Sequence, residues 1–312
     1  MTAVNFAMIN NANVTMTIGV IGAGTMGLGV VESLRHSGYE TYVRDIVPER
    51  MALAEKFGAK PCTLSAEVAR NAQIIIVLVV NAEQVETVLF GEDGAIPQLN
   101  SKSVVVVSST LAPSYVEDLA KRLAQKHIAM LDAPVSGGPA KAAAGTMTMM
   151  VAGDAVAFER CKEVFAAITG SVFNIGAQPG MASKLKLVNN LLAGVNVAAA
   201  AEAMALAIRV GLDPRMVFDV VNESSGASWM FRDRMARVLQ GDYAPRAALP
   251  ILTKDLGLAT DLASENEFPL TIGRHVHEIF SAASKASYGD EDDAALIKYY
   301  QALTGISLPS AS

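Results

Sequence analysis

With 312 residues, 51% of them hydrophobic but only 6% aromatic, the chain is long enough for about two domains and must build its core from Ala, Val, Leu, Ile and Met. A net charge of −6 without any cluster of Lys and Arg argues against nucleic acid or an anionic membrane as partner. Cys62 and Cys161 have neither metal-ligand spacing nor an evident disulfide role, and read as reduced thiols of a cytoplasmic protein.

Residues 1–15 are Asn-rich and lack the basic start, apolar centre and cleavage site of a secretory signal, so they read as a loose N-terminal extension. The folded part opens with the apolar run Thr17 to Ile21, followed at once by Gly22-Ala-Gly-Thr-Met-Gly27 and a helical pattern that ends at Gly38. Gly22 allows a tight turn, Gly24 lets the backbone approach a pyrophosphate, and Gly27 permits close helix–strand packing. Thr25 and Met26 stand at the helix start that faces the phosphates. The second strand, Glu40 to Arg44, ends at Asp45, where a carboxylate accepts from the adenosine ribose hydroxyls and repels a 2′-phosphate. Strand, glycines, helix, strand and acid in that order point to NAD, with Arg44 as a cation that softens the discrimination against NADP.

The alternation continues with strands near 74–80, 103–108, 128–132, 147–152 and 172–175. It predicts an α/β, doubly wound, mostly parallel sheet of the Rossmann type over residues 16–180. Asn81 and Thr110 end two of these strands, at the carboxyl edge where ribose and nicotinamide lie. Another strand, His127 to Asp132, runs into Asp132-Ala-Pro-Val-Ser-Gly-Gly138. Ser136 Oγ and the backbone N–H groups of Gly137 and Gly138 are thereby offered to a small anion. The longest uninterrupted apolar run, Ile74 to Val80, has the length of a strand and not of a membrane span.

After Gly180 the strands stop. Residues 181–312 form an all-helical domain opened by one long Ala-rich helix, 181–210, closed by Gly211, with Asp213-Pro214 as cap and first position of the next helix. So many small residues suggest close approach by other helices, including those of a second subunit in a homodimer or homotetramer. Lys186 and Asn190 share one face of the long helix, whereas Lys184 points elsewhere. A partly desolvated lysine between a dinucleotide domain and a helical domain suits the proton transfer that accompanies hydride transfer from an alcohol. His275 and His277 are two apart, and His36 and His127 are isolated, so no metal site is expected. Asp290 to Asp293 read as a charged helix start.

Taken together, IGAGTMG at 21–27, DAPVSGG at 132–138, the stretch from Gly180 to Lys186 and Asn190, and Lys254-Asp255-Leu256-Gly257-Leu258 resemble the β-hydroxyacid dehydrogenases, over nearly the whole chain. That resemblance implies hydride transfer between NAD and a small hydroxy acid. It makes Lys186 the general acid/base, with Asn190 in support, Ser136, Gly137 and Gly138 on the substrate carboxylate, and Lys254 near cofactor and substrate. One position departs from the pattern: Ala182 stands where the family has a glycine. The strings at 79–94, 201–211, 228–231, 254–259 and 288–298 are similar to members that oxidise a four-carbon sugar acid at C2. The residues are compatible with that: the helical domain offers Trp229, Asn222, Ser228, Asp255 and Lys254 for hydroxyl groups. The alternatives are a 3-hydroxyisobutyrate dehydrogenase, a tartronate semialdehyde reductase, or a catalytically silent interaction module. Lys186 and the acidic charge balance argue against the last.

Overall fold

The computed structural model describes residues 16–310, so the extension assigned to residues 1–15 lies outside the described residues. Contacts divide the chain into two compact units that meet in sequence between Lys186 and Leu187.

In the first unit the order is β1 (Thr17–Ile21), α1 (Thr25–His36), β2 (Glu40–Arg44), α2 (Pro48–Lys56), β3 (Lys60–Pro61), α3 (Ser65–Asn71), β4 (Ile74–Val77), α4 (Ala82–Phe90), β5 (Val104–Val107), α5 (Pro113–Ala124) and β6 (Ala129–Asp132). It continues through β7 (Val135–Ser136), α6 (Gly138–Ala143), β8 (Met147–Gly153), α7 (Ala155–Ile168) and β9 (Thr169–Gly176). The sheet runs β3-β2-β1-β4-β5-β6-β8-β7, with β9 also paired to β8. From β3 to β6 every pairing is parallel. β8 is antiparallel to β6 and β7 and parallel to β9. The central strands are continuous apolar runs, Ile74–Val77 and Val104–Val107, buried along their whole length because helices cover both faces. One core cluster packs α1 and α7 on one face, and a second packs α3, α4 and α5 on the other. All seven strands expected from the alternation form. Strand β4 stops at Val77, three residues short of the expected end, because Val79 N–H turns away to donate to Ser109 Oγ.

The long helix α8 runs from Met181 to Arg209, within a residue of the span expected. Gly211 follows at φ 85°, and Asp213 caps α9 (Pro214–Asn222) by accepting from Met216 N–H at 2.8 Å. Then come α10 (Trp229–Gln240), α11 (Leu249–Glu265), α12 (Thr271–Ala283) and α13 (Leu296–Thr304). Among the described residues α8 is the one helix long and apolar enough to cross a membrane by length and composition. Its apolar residues have a local use: Val197, Ala201 and Met204 form the helical core with Phe231, Leu256 and Phe280. Gly194 lies under Leu256, whose Cδ2 is 2.8 Å from where a Cβ would sit, so α8 and α11 meet nearly backbone to side chain.

Candidate active site

The turn between β1 and α1 is shaped by backbone contacts that only glycine permits. Gly22 has φ 97°, and a Cβ there would lie 2.3 Å from Leu78 O. At Gly27 a Cβ would lie 1.9 Å from Gly22 O, so the helix begins against its own strand. Gly24 is different: its side faces open space, with Arg50 Nη1 the nearest group at 4.0 Å. It is the N-cap of α1 and offers no side-chain acceptor, so the first-turn N–H groups, with Thr25 exposed and Met26 half-buried above them, remain for an external anion. This cradle fits the pyrophosphate of a dinucleotide.

Asp45 is buried at the end of β2, and both of its oxygens are engaged. Oδ2 accepts from Ala23 N–H at 2.7 Å and Oδ1 from Val47 N–H at 2.9 Å. The carboxylate thus ties the glycine turn to the start of α2 and presents its remaining lone pairs and its charge outward. Arg50 pairs with Oδ1 at 3.6 Å, while Arg44 donates to the Asp45 carbonyl. Arg50 was not singled out from the sequence; its only signal there was its place in the first turn of α2, five residues after Asp45. Asn81 caps α4 by accepting from Gln84 N–H at 2.9 Å, which leaves its amide N–H groups to face outward. Thr110 follows Ser109 on the loop after β5 and is half-buried.

Ser136 ends β7, opposite Thr148 of β8, and is half-buried. Gly137 has φ 139° and Gly138 φ 75°, both outside the comfortable range of other residues, and Gly138 has nothing within 4 Å of a hypothetical Cβ. Gly138 is therefore bare on its Cβ side at the start of α6, whereas a Cβ at Gly137 would lie 2.9 Å from Lys141 Cδ. That short helix lies on α1: a Cβ at Gly29 would be 2.7 Å from Ala142 Cβ and 2.7 Å from Ala143 N. Two expected ligand-binding turns are so held against each other through backbone.

Lys186 is buried, 7% exposed, in the second turn of α8. Its neighbour Lys184 is half-buried and spent on an ion pair with Glu117 Oε1 of α5 at 2.9 Å. At the start of the same helix Asp132 accepts from Gly180 N–H at 2.8 Å, Ser183 N–H at 3.0 Å and Ser183 Oγ–H at 2.7 Å.

In the second unit Asn190 and Asp255 are both buried. Asn190 Nδ2 donates to Asp255 Oδ2 at 2.7 Å, Asn190 Oδ1 accepts from Asn189 Nδ2 at 3.1 Å, and Lys254 Nζ lies 2.8 Å from Asp255 Oδ1. Asn190, Lys254 and Asp255 thus form one group. Trp229 is 54% exposed at the start of α10, with the Arg234 guanidinium 5.8 Å from its ring centroid. Among the described residues no three His, Cys, Asp or Glu side chains are grouped as a metal site would require.

Comparison with known proteins agrees with these features. Residues 17–176 match the NAD-binding domain of 6-phosphogluconate dehydrogenase, and residues 180–300 match the family described as the NAD-binding domain of NADP-dependent 3-hydroxyisobutyrate dehydrogenase. L-threonate dehydrogenase of Cupriavidus necator is 46% identical over 94% of this chain and 97% of its own length. L-threonate dehydrogenase of Escherichia coli is 45% identical over the same shares. A Salmonella typhimurium crystal structure described as 3-hydroxyisobutyrate dehydrogenase is 43% identical, superposes with a TM-score of 0.86, and is matched over 91% of this chain and 99% of that one. With both halves matched in order and a dinucleotide cradle built as the family requires, the chain belongs to the β-hydroxyacid dehydrogenases, NAD-binding oxidoreductases that act on hydroxy acids.

Proposed function

We propose that this enzyme oxidises L-threonate at C2 to 2-oxo-tetronate, with Lys186 as general base. The observation that carries the reading is the burial of Lys186 on the face of α8 that also holds Asn190, while Lys184 is held by Glu117. Similarity to two L-threonate dehydrogenases over 94% of the chain supports the choice of acid.

In this reading Ser136 Oγ–H and the N–H groups of Gly137 and Gly138 hold the substrate carboxylate, and Trp229 and Asp255 belong to the surroundings of its hydroxyl-bearing tail. NAD, when bound, is the acceptor of the C2 hydride. Lys186 as the free amine takes the C2 hydroxyl proton, so that the C–H and O–H bonds break and the C=O bond forms with charge balanced. Asn190, held by Asp255, keeps a polar partner beside Lys186. The glycine turn with Thr25 and Met26 holds the pyrophosphate, and Asp45 takes the adenosine ribose. Asn81, Thr110 and Lys254 complete the cofactor contacts. The domain assignment is residues 16–180 for cofactor and 181–312 for substrate and assembly.

We further assign a cytoplasmic homodimer or homotetramer. In this reading Met181, Leu185, Val188 and Leu192, exposed along the first part of α8 at spacings of four, three and four, are the seam that a partner helix covers.

The test is a panel of hydroxy acids with wild type, Lys186→Met and Lys184→Met. L-threonate is expected to give the highest kcat/KM, and Lys186→Met to lose activity by about 10²–10⁴-fold with NAD binding intact, while Lys184→Met changes little. Equal losses in the two lysine variants overturn the assignment of the base. The second reading, a 3-hydroxyisobutyrate dehydrogenase, is favoured by the description of the Salmonella typhimurium structure. A wild-type preference for 3-hydroxyisobutyrate would replace the substrate and leave the base standing.

A further inference from the structure

Asp132 opens the DAPVSGG stretch, yet nothing in the reaction as described uses it. It is completely buried at the end of β6, and its two oxygens take three donors from the start of α8, 48 and 51 residues further along the chain. Two of these donors, the N–H groups of Gly180 and Ser183, are among the four that a helix start leaves without intrahelical partners. Gly180 itself has φ 93°, and a Cβ there would lie 2.7 Å from Glu117 Cγ, so the entry to the helix has little freedom to move.

The carboxylate is therefore a cap supplied from a distant strand, and it has two consequences for the helix it caps. It fixes the first turn, and hence the place of Lys186 one turn on. It also sets a negative charge, in a fully buried site, at the positive end of the helix dipole. Burial pushes the Asp132 carboxyl up, against the pull of the Ser183 and Gly180 hydrogen bonds, so the charge is held at some cost. A serine or asparagine would cap the helix without that cost. Charged groups that meet these turns include Asp132 from β6, Glu117 from α5 and Lys184 on α8 itself; Glu117 and Lys184 are paired with each other and partly exposed. Asp132 is the buried one.

We propose that Asp132 is a positioning residue for Lys186: its carboxylate clamps the start of α8 to the end of the strand that leads into Ser136, and its charge tunes the proton affinity of the lysine. Substrate cradle and base are thereby set by the two sides of one residue, Ser136 four positions along the chain and Lys186 through the capped helix. The inference rests on Lys186 being the base.

The informative variant is Asp132→Asn. An asparagine oxygen can still accept from Gly180 and Ser183 N–H, and its amide can donate to Ser183 Oγ, so the clamp survives and the charge is removed. The proton affinity of Lys186 is read directly, without turnover, by competitive acylation of its amine across a pH series, with peptide mass spectrometry and Lys184 as internal reference. In Asp132→Asn the titration of Lys186 is expected to move down by about 0.5–1 pH unit, with Lys184 unmoved, and the pH profile of oxidation to move with it. Unchanged labelling and an unchanged profile in a folded variant overturn the proposal. If Lys186→Met keeps near-normal activity, the base assignment has failed instead, a result the labelling arm does not depend on. Should Asp132→Asn fail to fold, Ser183→Ala removes one donor and leaves the charge. It is expected to lower kcat about tenfold without altering KM for NAD, and a wild-type kcat in that variant counts against the clamp.

Discussion

Asn190 Nδ2 sits 2.7 Å from Asp255 Oδ2, and Lys254 Nζ is 2.8 Å from the other oxygen of the same buried carboxylate. Asp255 stands behind Asn190 and holds its amide by a charge-assisted bond. Its truncation leaves Asn190 free to rotate. Asp255→Ala is expected to lower kcat by about 10²-fold for every acid alike, with KM for NAD unchanged, because a small misplacement of a positioned group suffices for such a loss. Steady-state kinetics on several acids are the check. A change in the ranking of acids would mean that Asp255 touches the substrate itself.

We assign cofactor preference to Asp45, whose oxygens already accept from Ala23 and Val47 N–H groups. Asp45→Ser is expected to narrow the gap between NAD and NADP, since the carboxylate that repels a 2′-phosphate is gone and Arg50, paired with it at 3.6 Å, is released as a countercharge. The same variant loses the tie between glycine turn and α2, so a fall in Tm should accompany the change. If the wild type prefers NADP when initial rates with the two cofactors are compared, the assignment of Asp45 to the ribose fails.

A buried ion network in the helical unit makes a statement about pH. Arg234 Nη2 donates to Asp293 Oδ2 at 2.9 Å and its Nε to Oδ1, while Arg237 Nη1 donates to Asp292 Oδ1 at 2.9 Å. Burial pushes Asp293 up to about 6 despite the attraction of Arg234. Asp292 is held below the usual range, because the N–H groups of Ala247 and Arg246 and the charge of Arg237 outweigh its own burial. Since the folded-state value of Asp293 lies above the unfolded one, the folded chain holds the extra proton between about pH 4 and 6. Stability from this group is therefore highest at the acid end of that window and falls as pH rises through it. Arg234→Met strands the carboxylate at a cost of about 3–5 kcal/mol at pH 8, and protonation relieves part of that cost. Thermal unfolding should show a smaller Tm deficit at pH 5 than at pH 8, and equal deficits would contradict the assignment.

Burial pushes the Cys62 thiol up to about 11 and that of Cys161 up to about 12. Neither forms the reactive thiolate near neutrality. A colorimetric thiol count at pH 8 is expected to give none in the native enzyme and two per chain in guanidinium chloride. Reaction of either cysteine in the native state would show that its surroundings open.

How much of this was legible in the chain depends on distance along it. The β1–Gly22–α1–β2–Asp45 unit could be read because each cue is local: an apolar run, glycines at fixed spacing, an acid at a strand end. Strands β3 and β7 span two residues each, too short for any alternation to register. Asp132 was quoted within its motif but given no role, since its partners lie about fifty positions away and no periodicity links them. Asp255 was read among the groups for the substrate hydroxyls; its bond to Asn190, 65 positions away, had no local cue in the chain. The acids at 290–293, read as a charged helix start, do cap a turn through Asp292, which accepts from Ala294 N–H at 3.2 Å. Their larger use is the bond of Asp293 to Arg234 and of Asp292 to Arg237, both on α10 and more than fifty positions away along the chain.

The contact of Gly29 with Ala142 and Ala143 sets a limit on how this enzyme can diversify. The glycine turn after β1 and the turn at Ser136–Gly138 are spaced by the bare main chain of Gly29 against the Ala142 methyl and the Ala143 N–H, with no room for a larger side chain at Gly29. We assign these two turns to the pyrophosphate and the carboxylate, the parts that every such substrate pair shares. Acceptance of a longer or shorter acid has therefore to be sought by redesign of side chains such as Trp229 in the helical unit. Substitutions along α1 or α6 would shift cofactor and carboxylate together and lose both.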